Sequence, residues 1–133
     1  MKKTFLVIGN PIDHSLSPKL HNYWIKKNKI NATYEKKLLN NNKIKDLIFN
    51  IREEKIHGLN VTVPFKKMII PFLDELSKEA EISQSVNTIY KRDNKIIGDN
   101  TDIEGFKSSL EKIEQKIKNK KAVLSPIILL SLL

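Results

Sequence analysis

The chain has no cysteine in its 133 residues, and only four glycines, two arginines and three alanines. Without cysteine neither a disulfide framework nor a thiolate metal site is possible. The three histidines, at 14, 21 and 57, lack the paired spacing of a zinc site, so no metal is implied. No apolar run approaches the ~20 residues of a membrane span. The longest, residues 122–133, is too short, and the N-terminal run after two lysines ends at Gly9, short of a secretion signal. Scarce arginine bears on the net charge of +9, because 22 of the 24 basic residues are lysine. Arginine is the residue suited to bidentate contacts with bases and phosphates, so nucleic-acid binding is the weaker reading of this charge. Residues 107–121, with six lysines against two glutamates, read as the solvated face of a helix. The expectation is a soluble, cytoplasmic protein of one domain with a real core.

What is present centres on His-Gly-Leu-Asn-Val-Thr-Val-Pro-Phe-Lys at 57–66. Read as a strand, Leu59, Val61 and Val63 alternate with Asn60 and Thr62, which share the other face. Pro64 ends the pairing and Lys66 follows where a strand feeds a helix. Ligands of open α/β sheets bind at strand ends, so an amide, a hydroxyl and an amine would converge on one cleft. The bland alternative is a half-buried strand followed by a surface lysine.

Around this stretch the chain alternates. Residues 4–9 form an apolar run expected of a strand covered on both faces. A turn-rich loop leads to Ser17-Pro18, a helix start with serine as cap, followed by an apolar stripe of Leu20, Tyr23, Trp24 and Ile25. Ser15 and Ser17 lie two apart beside that start, which suits one carboxylate, unless Ser17 merely caps and Ser15 fills the loop. Residues 32–39 read as a second strand, and the asparagines at 40–42 as a turn that caps the next helix. Ile44, Leu47, Ile48 and Ile51 then mark an amphipathic helix. Strand, helix, strand, helix, strand argues for a mostly parallel open sheet with right-handed crossovers. Beyond Lys66 come a helical turn, a helical stretch around 73–82, and a hairpin of 86–90 and 95–99. Thr101 and Glu104 have capping-box spacing, and Asp102 falls in the first turn of the helix they open.

Four motifs now stand in order: Gly-Asn-Pro-Ile-Asp-His-Ser-Leu-Ser-Pro-Lys-Leu-His-Asn at 9–22, Gly-Leu-Asn-Val-Thr-Val-Pro-Phe-Lys at 58–66, Ser-Val-Asn-Thr-Ile at 85–89, and Gly-Asp-Asn-Thr-Asp-Ile-Glu-Gly-Phe at 98–106. Together they resemble the substrate-binding half of shikimate dehydrogenase, over residues 4 to about 121. The resemblance implies an α/β fold with one antiparallel hairpin. Its parts would be a shikimate-binding domain at 1–102, a connecting helix at 103–119, and at 120–133 the remnant of the first strand of a missing NADP-binding domain. It implies that Ser15 and Ser17 hold the substrate carboxylate with Thr62 nearby, and that Asn60 and Asn87 meet the ring hydroxyls. Lys66 would be the catalytic lysine and Asp102 its paired carboxylate. His14 and His21 are read as structural or rim residues, and Ser85 stands where the family often has alanine.

The implied reaction is the NADPH-dependent reduction of 3-dehydroshikimate to shikimate, and its reverse. No glycine follows Gly105, so the expected dinucleotide turn is not in this sequence, and NADP is expected not to bind this chain tightly. The expectation is thus an incomplete dehydrogenase whose partner is a small molecule, with no nucleic acid and no membrane, its oligomeric state open. A non-catalytic shikimate-binding module or an inactive gene fragment is the alternative.

Overall fold

The computed structural model describes residues 1–116, with side chains to residue 112. They divide into two units, residues 1–100 and a second unit from Thr101 onward. The segment at 120–133, read above as a strand remnant, and the end of the helix expected at 103–119 lie outside the described residues.

The first unit is built on six strands: β1 (Lys3–Gly9), β2 (Ala32–Leu38), β3 (Gly58–Val61), β4 (Glu75–Leu76), β5 (Thr88–Arg92) and β6 (Lys95–Asp99). They lie in the order β2-β1-β3-β5-β6-β4. β1 pairs in parallel with β2 and β3, and β6 with β4, while β5 runs against both of its neighbours. The sheet is therefore mostly parallel, with β5 as its reversed strand. The hairpin of β5 and β6 turns at Asp93 and Asn94, both with positive φ (50° and 63°). Two left-handed residues match the twist of a tight two-residue turn, which Asp and Asn tolerate better than most side chains.

Helices α1 (Ser17–Lys27) and α2 (Ile44–Arg52) are the crossovers between the first three strands, and the short α3 (Phe65–Met68) and α4 (Lys78–Ser83) follow. β1 is covered on both sides, as its unbroken apolar run requires. Leu6 and Ile8 join the larger core with Leu47, Ile51, Leu59, Val61, Phe65 and Ile89, while Val7 packs with Ile12 and Tyr34 on the other face. All four apolar residues that mark α2 are buried. The second unit holds α5 (Thr101–Lys116), in which Glu104 pairs with Lys107 at 3.0 Å. No helix among the described residues is long and apolar enough to cross a membrane.

Several local expectations fail for identifiable reasons. Ser17 is not the cap of α1 but its first residue, preceded by Leu16, which makes no side-chain cap bond. The stripe on α1 is not a buried face: Leu20, Tyr23 and Trp24 are all about half exposed, and only Ile25 packs against the core. α1 docks instead through a polar residue, Asn22, whose amide meets the backbone of β2. The asparagines at 40–42 do not cap α2, because a 3-10 turn at Asn41–Lys43 runs straight into it. The stretch at 73–82 is not one helix. Glu75–Leu76 pairs with β6, and Ser77 then caps α4, its hydroxyl accepting the Ala80 N–H at 3.2 Å. A two-residue edge strand carries no periodicity to read. Val63, expected to continue the strand on the face of Leu59 and Val61, is 67% exposed because β3 has ended at Val61. Thr101 is the first residue of α5, not the residue before it.

Candidate active site

The C-terminal ends of β1, β3 and β6 lie along one edge of the sheet, and reversal puts the N-terminal end of β5 there too. Three motifs distant in sequence, and the opening residues 98–100 of the fourth, are thereby gathered, and backbone hydrogen bonds lace them together. Asn10 N–H donates to the Val63 carbonyl (3.1 Å) and Thr62 N–H to Ile8 (2.9 Å), tying the first motif to the second. Val86 N–H donates to the Lys66 carbonyl (2.8 Å), and Asn87 N–H to Asp99 (2.9 Å), tying in the third and fourth. The peptides Asn10–Pro11 and Val63–Pro64 are both cis. Lys66 sits in α3, half-buried, immediately after this junction.

Ile12 anchors the first loop by inserting into the core, and its carbonyl accepts the Ser15 N–H at 3.0 Å. The Ser15 hydroxyl oxygen in turn accepts the Ser17 N–H at 3.4 Å. Ser15 and Ser17 are both half-buried. Their hydroxyls therefore stand beside the first turn of α1, where the helix dipole favours an anion.

Asn60 and Thr62 do share a face, as the alternation required. It is the face of Val7, which pairs with Asn60 across β1 and β3. The Asn60 amide is held on every side: its oxygen accepts from the Tyr34 hydroxyl at 2.6 Å, and its nitrogen donates to the Asn87 carbonyl and the Thr88 hydroxyl, each at 3.2 Å. The Thr88 hydroxyl then donates to the Asn87 amide oxygen at 2.9 Å. Asn87 is buried at 8% exposure. Asp102 lies in the first turn of α5, in the second unit, and is half-buried.

Sequence reasoning missed Tyr34, Thr88 and Asn22. The Tyr34 ring stacks on His21 (centroids 4.1 Å apart, planes at 8°), and burial pushes its hydroxyl pKa up to about 12, a hydrogen bond from Ser17 acting the other way. Asn22 brackets the Tyr34 main chain, accepting its N–H at 3.1 Å and donating to its carbonyl at 2.7 Å. A tyrosine in an alternating strand looks like core; only the register that sets β2 beside β1 and β3 shows which polar groups it meets. An apolar cavity of about 450 Å³ between α1 and the sheet is lined by Phe5, Trp24, Ile25, Leu59 and Ile89 among others. Of the site residues named from the sequence only Asn60 reaches it, so it is not where they meet. Among the described residues no cluster of three or more metal-ligating side chains occurs.

The profile of the shikimate dehydrogenase substrate binding domain matches residues 7–89. The NADP(+)-dependent shikimate dehydrogenase of Pelagibacter ubique (strain HTCC1062) is 86% identical over 124 residues, spanning 93% of this chain and 47% of that protein. The crystal structure of shikimate 5-dehydrogenase from Listeria monocytogenes with shikimate and NAD superposes with a TM-score of 0.79 at 32% identity, over 84% of this chain and 39% of that one. The enzyme from Thermus thermophilus, in complex with shikimate, also gives 0.79, at 29% identity over 90% of this chain and 45% of that one. The chain thus spans less than half the length of each of these relatives.

Proposed function

The chain belongs to the family of the shikimate dehydrogenase substrate-binding domain, and we propose that it carries the substrate-holding and proton-handling half of the reduction of 3-dehydroshikimate to shikimate. The observation that supports this reading is the convergence of its first three motifs, with residues 98–100 of the fourth, on one sheet edge. Ser15 and Ser17 take the ligand carboxylate, aided by the first turn of α1, with Thr62 beside them. Asn60 and Asn87 serve the ring hydroxyls. Lys66 faces the reacting oxygen. As that oxygen gains negative charge, an ammonium group stabilises it and delivers the proton; in reverse the neutral amine accepts one. Asp102 is proposed as the carboxylate that works with Lys66.

The described residues do not fit NADP. A pyrophosphate needs glycines whose missing side chains leave room for close approach. Here a Cβ on Gly9 would lie 2.7 Å from Thr62, one on Gly58 3.0 Å from Phe5, and one on Gly98 2.4 Å from Leu73, so protein atoms already occupy those spaces. Gly105 lies within α5. No step of hydride transfer is assigned to these residues.

Titrating the chain with shikimate, and separately with NADPH, while following ligand-induced NMR shifts tests the reading. Shikimate is expected to bind weakly, at about millimolar Kd, with shifts at Ser15, Ser17, Thr62, Lys66 and Asn87. NADPH is expected to cause none of comparable affinity. Tight NADPH binding, or no response to shikimate, would overturn it.

A further inference from the structure

Resting on the substrate-binding reading above, we propose that Tyr34 is a positioning residue of the cleft, fixing the amide of Asn60 and, through Thr88, the amide of Asn87. The direction of the hydrogen bonds at Asn60 is forced. The main-chain carbonyl of Asn87 can only accept, so the group 3.2 Å from it must be the Asn60 nitrogen. That turns the Asn60 oxygen toward Tyr34, and the phenol must donate, at 2.6 Å. The second proton of the Asn60 nitrogen goes to the Thr88 oxygen at 3.2 Å, which obliges Thr88 to send its own proton elsewhere. It goes to the Asn87 oxygen at 2.9 Å. Asn60 cannot flip without setting two acceptors face to face at the Asn87 main-chain carbonyl.

The relay begins at Tyr34, in β2, and ends on the residue assigned to a substrate hydroxyl. Tyr34 itself is only 4% exposed and packs with Val7 and Ile12. Phenylalanine would fill that space and stack on His21 equally well. What the hydroxyl adds is direction, and an amide with a fixed orientation binds a ligand without first losing rotational freedom.

Two variants of the full chain test this, Tyr34→Phe and Thr88→Val, each nearly isosteric and each cutting the relay at a different bond. In the absence of ligand, both should shift the side-chain NH₂ signal of Asn87 and speed its exchange with water, although the Tyr34 hydroxyl bonds Asn60 and not Asn87. With shikimate, both should weaken binding about tenfold while the backbone spectrum away from the site keeps its dispersion. An Asn87 side-chain signal that moves in neither variant would overturn the relay, as would unchanged shikimate affinity in both. A wild-type chain that does not respond to shikimate would sink the substrate reading instead, and the ligand-free Asn87 signal would still decide the relay.

Discussion

Gly9 and Thr62 touch: a Cβ built on Gly9 would lie 2.7 Å from the Thr62 methyl. Gly9 ends β1 in the first motif and Thr62 follows β3 in the second, so the two halves of the cleft are set against each other at this contact. Gly9→Ala should cost about 1–3 kcal/mol in chemical denaturation and weaken shikimate binding by displacing Thr62. Thr62→Ser keeps the hydroxyl and removes the methyl, so the double variant should regain part of both losses. Additive losses would show that the two residues are not coupled.

The roles of Lys66 and Ser15 should separate in kinetics. Joined to the cofactor-binding half of a relative, the chain with Lys66→Ala should lose about 10²–10⁴ in kcat with a modest change in KM. Ser15→Ala should mainly raise KM, because the carboxylate bears the same charge before and during reaction. Steady-state kinetics with the opposite split would reverse the assignment.

Asn22 supplies both bonds to the Tyr34 main chain on the side where β2 has no further strand. Asn22→Ala leaves an N–H and a C=O of a buried residue unmatched, at a cost of about 1–3 kcal/mol. Urea melts should show that loss, and the Tyr34 amide should exchange with solvent much faster. Unaltered exchange would mean that water replaces the side chain without penalty.

Asp74 joins α2 to β6. Two hydrogen bonds from Arg52, and then one from the Ile96 N–H at 2.7 Å, hold its carboxyl below the ordinary aspartate value of 3.8. The folded state therefore binds this proton less readily than the unfolded one, and the stability that results is present above about pH 4 and lost as the pH falls through the depressed range. Because Asp74 is about a third exposed, the effect is modest. Asp74→Asn should flatten the acid side of the stability profile; an unchanged slope would exclude this pair as its source.

Tyr34 acts at the other end of the scale. Its hydroxyl titrates near pH 10 when unfolded and near 12 when folded. Between those values the unfolded chain gives up the proton while the folded chain keeps it, so stability falls as pH rises. The loss should reach about 2–3 kcal/mol by pH 12. Tyr34→Phe should abolish that part of the alkaline decline in urea melts. A variant that declines as steeply as wild type would show that Tyr34 ionises freely.

Legibility in the sequence depends on whether an element carries its own signal. α2 is legible because Ile44, Leu47, Ile48 and Ile51 must share one face to be buried together. The strand at 58–61 is legible too, as is the common face of Asn60 and Thr62, because alternation is a property of the backbone alone. α1 misleads, since Leu20, Tyr23 and Trp24 have helical spacing yet stay about half exposed. Periodicity says which residues share a face, not whether anything covers it.

The four motifs and the types of group they supply are thus set locally by the sequence, through turn residues, apolar periodicity and hydroxyl, amide and amine side chains at fixed spacings. The tertiary structure decides which of these groups meet. Strand order and the reversal of β5 bring Thr88 and Asn87 beside Asn60, and the register of β2 puts a tyrosine hydroxyl from 26 residues upstream within 2.6 Å of its amide. Such pairings have no local signature, because a hydrogen bond depends on a separation of a few ångströms that only the packed sheet sets.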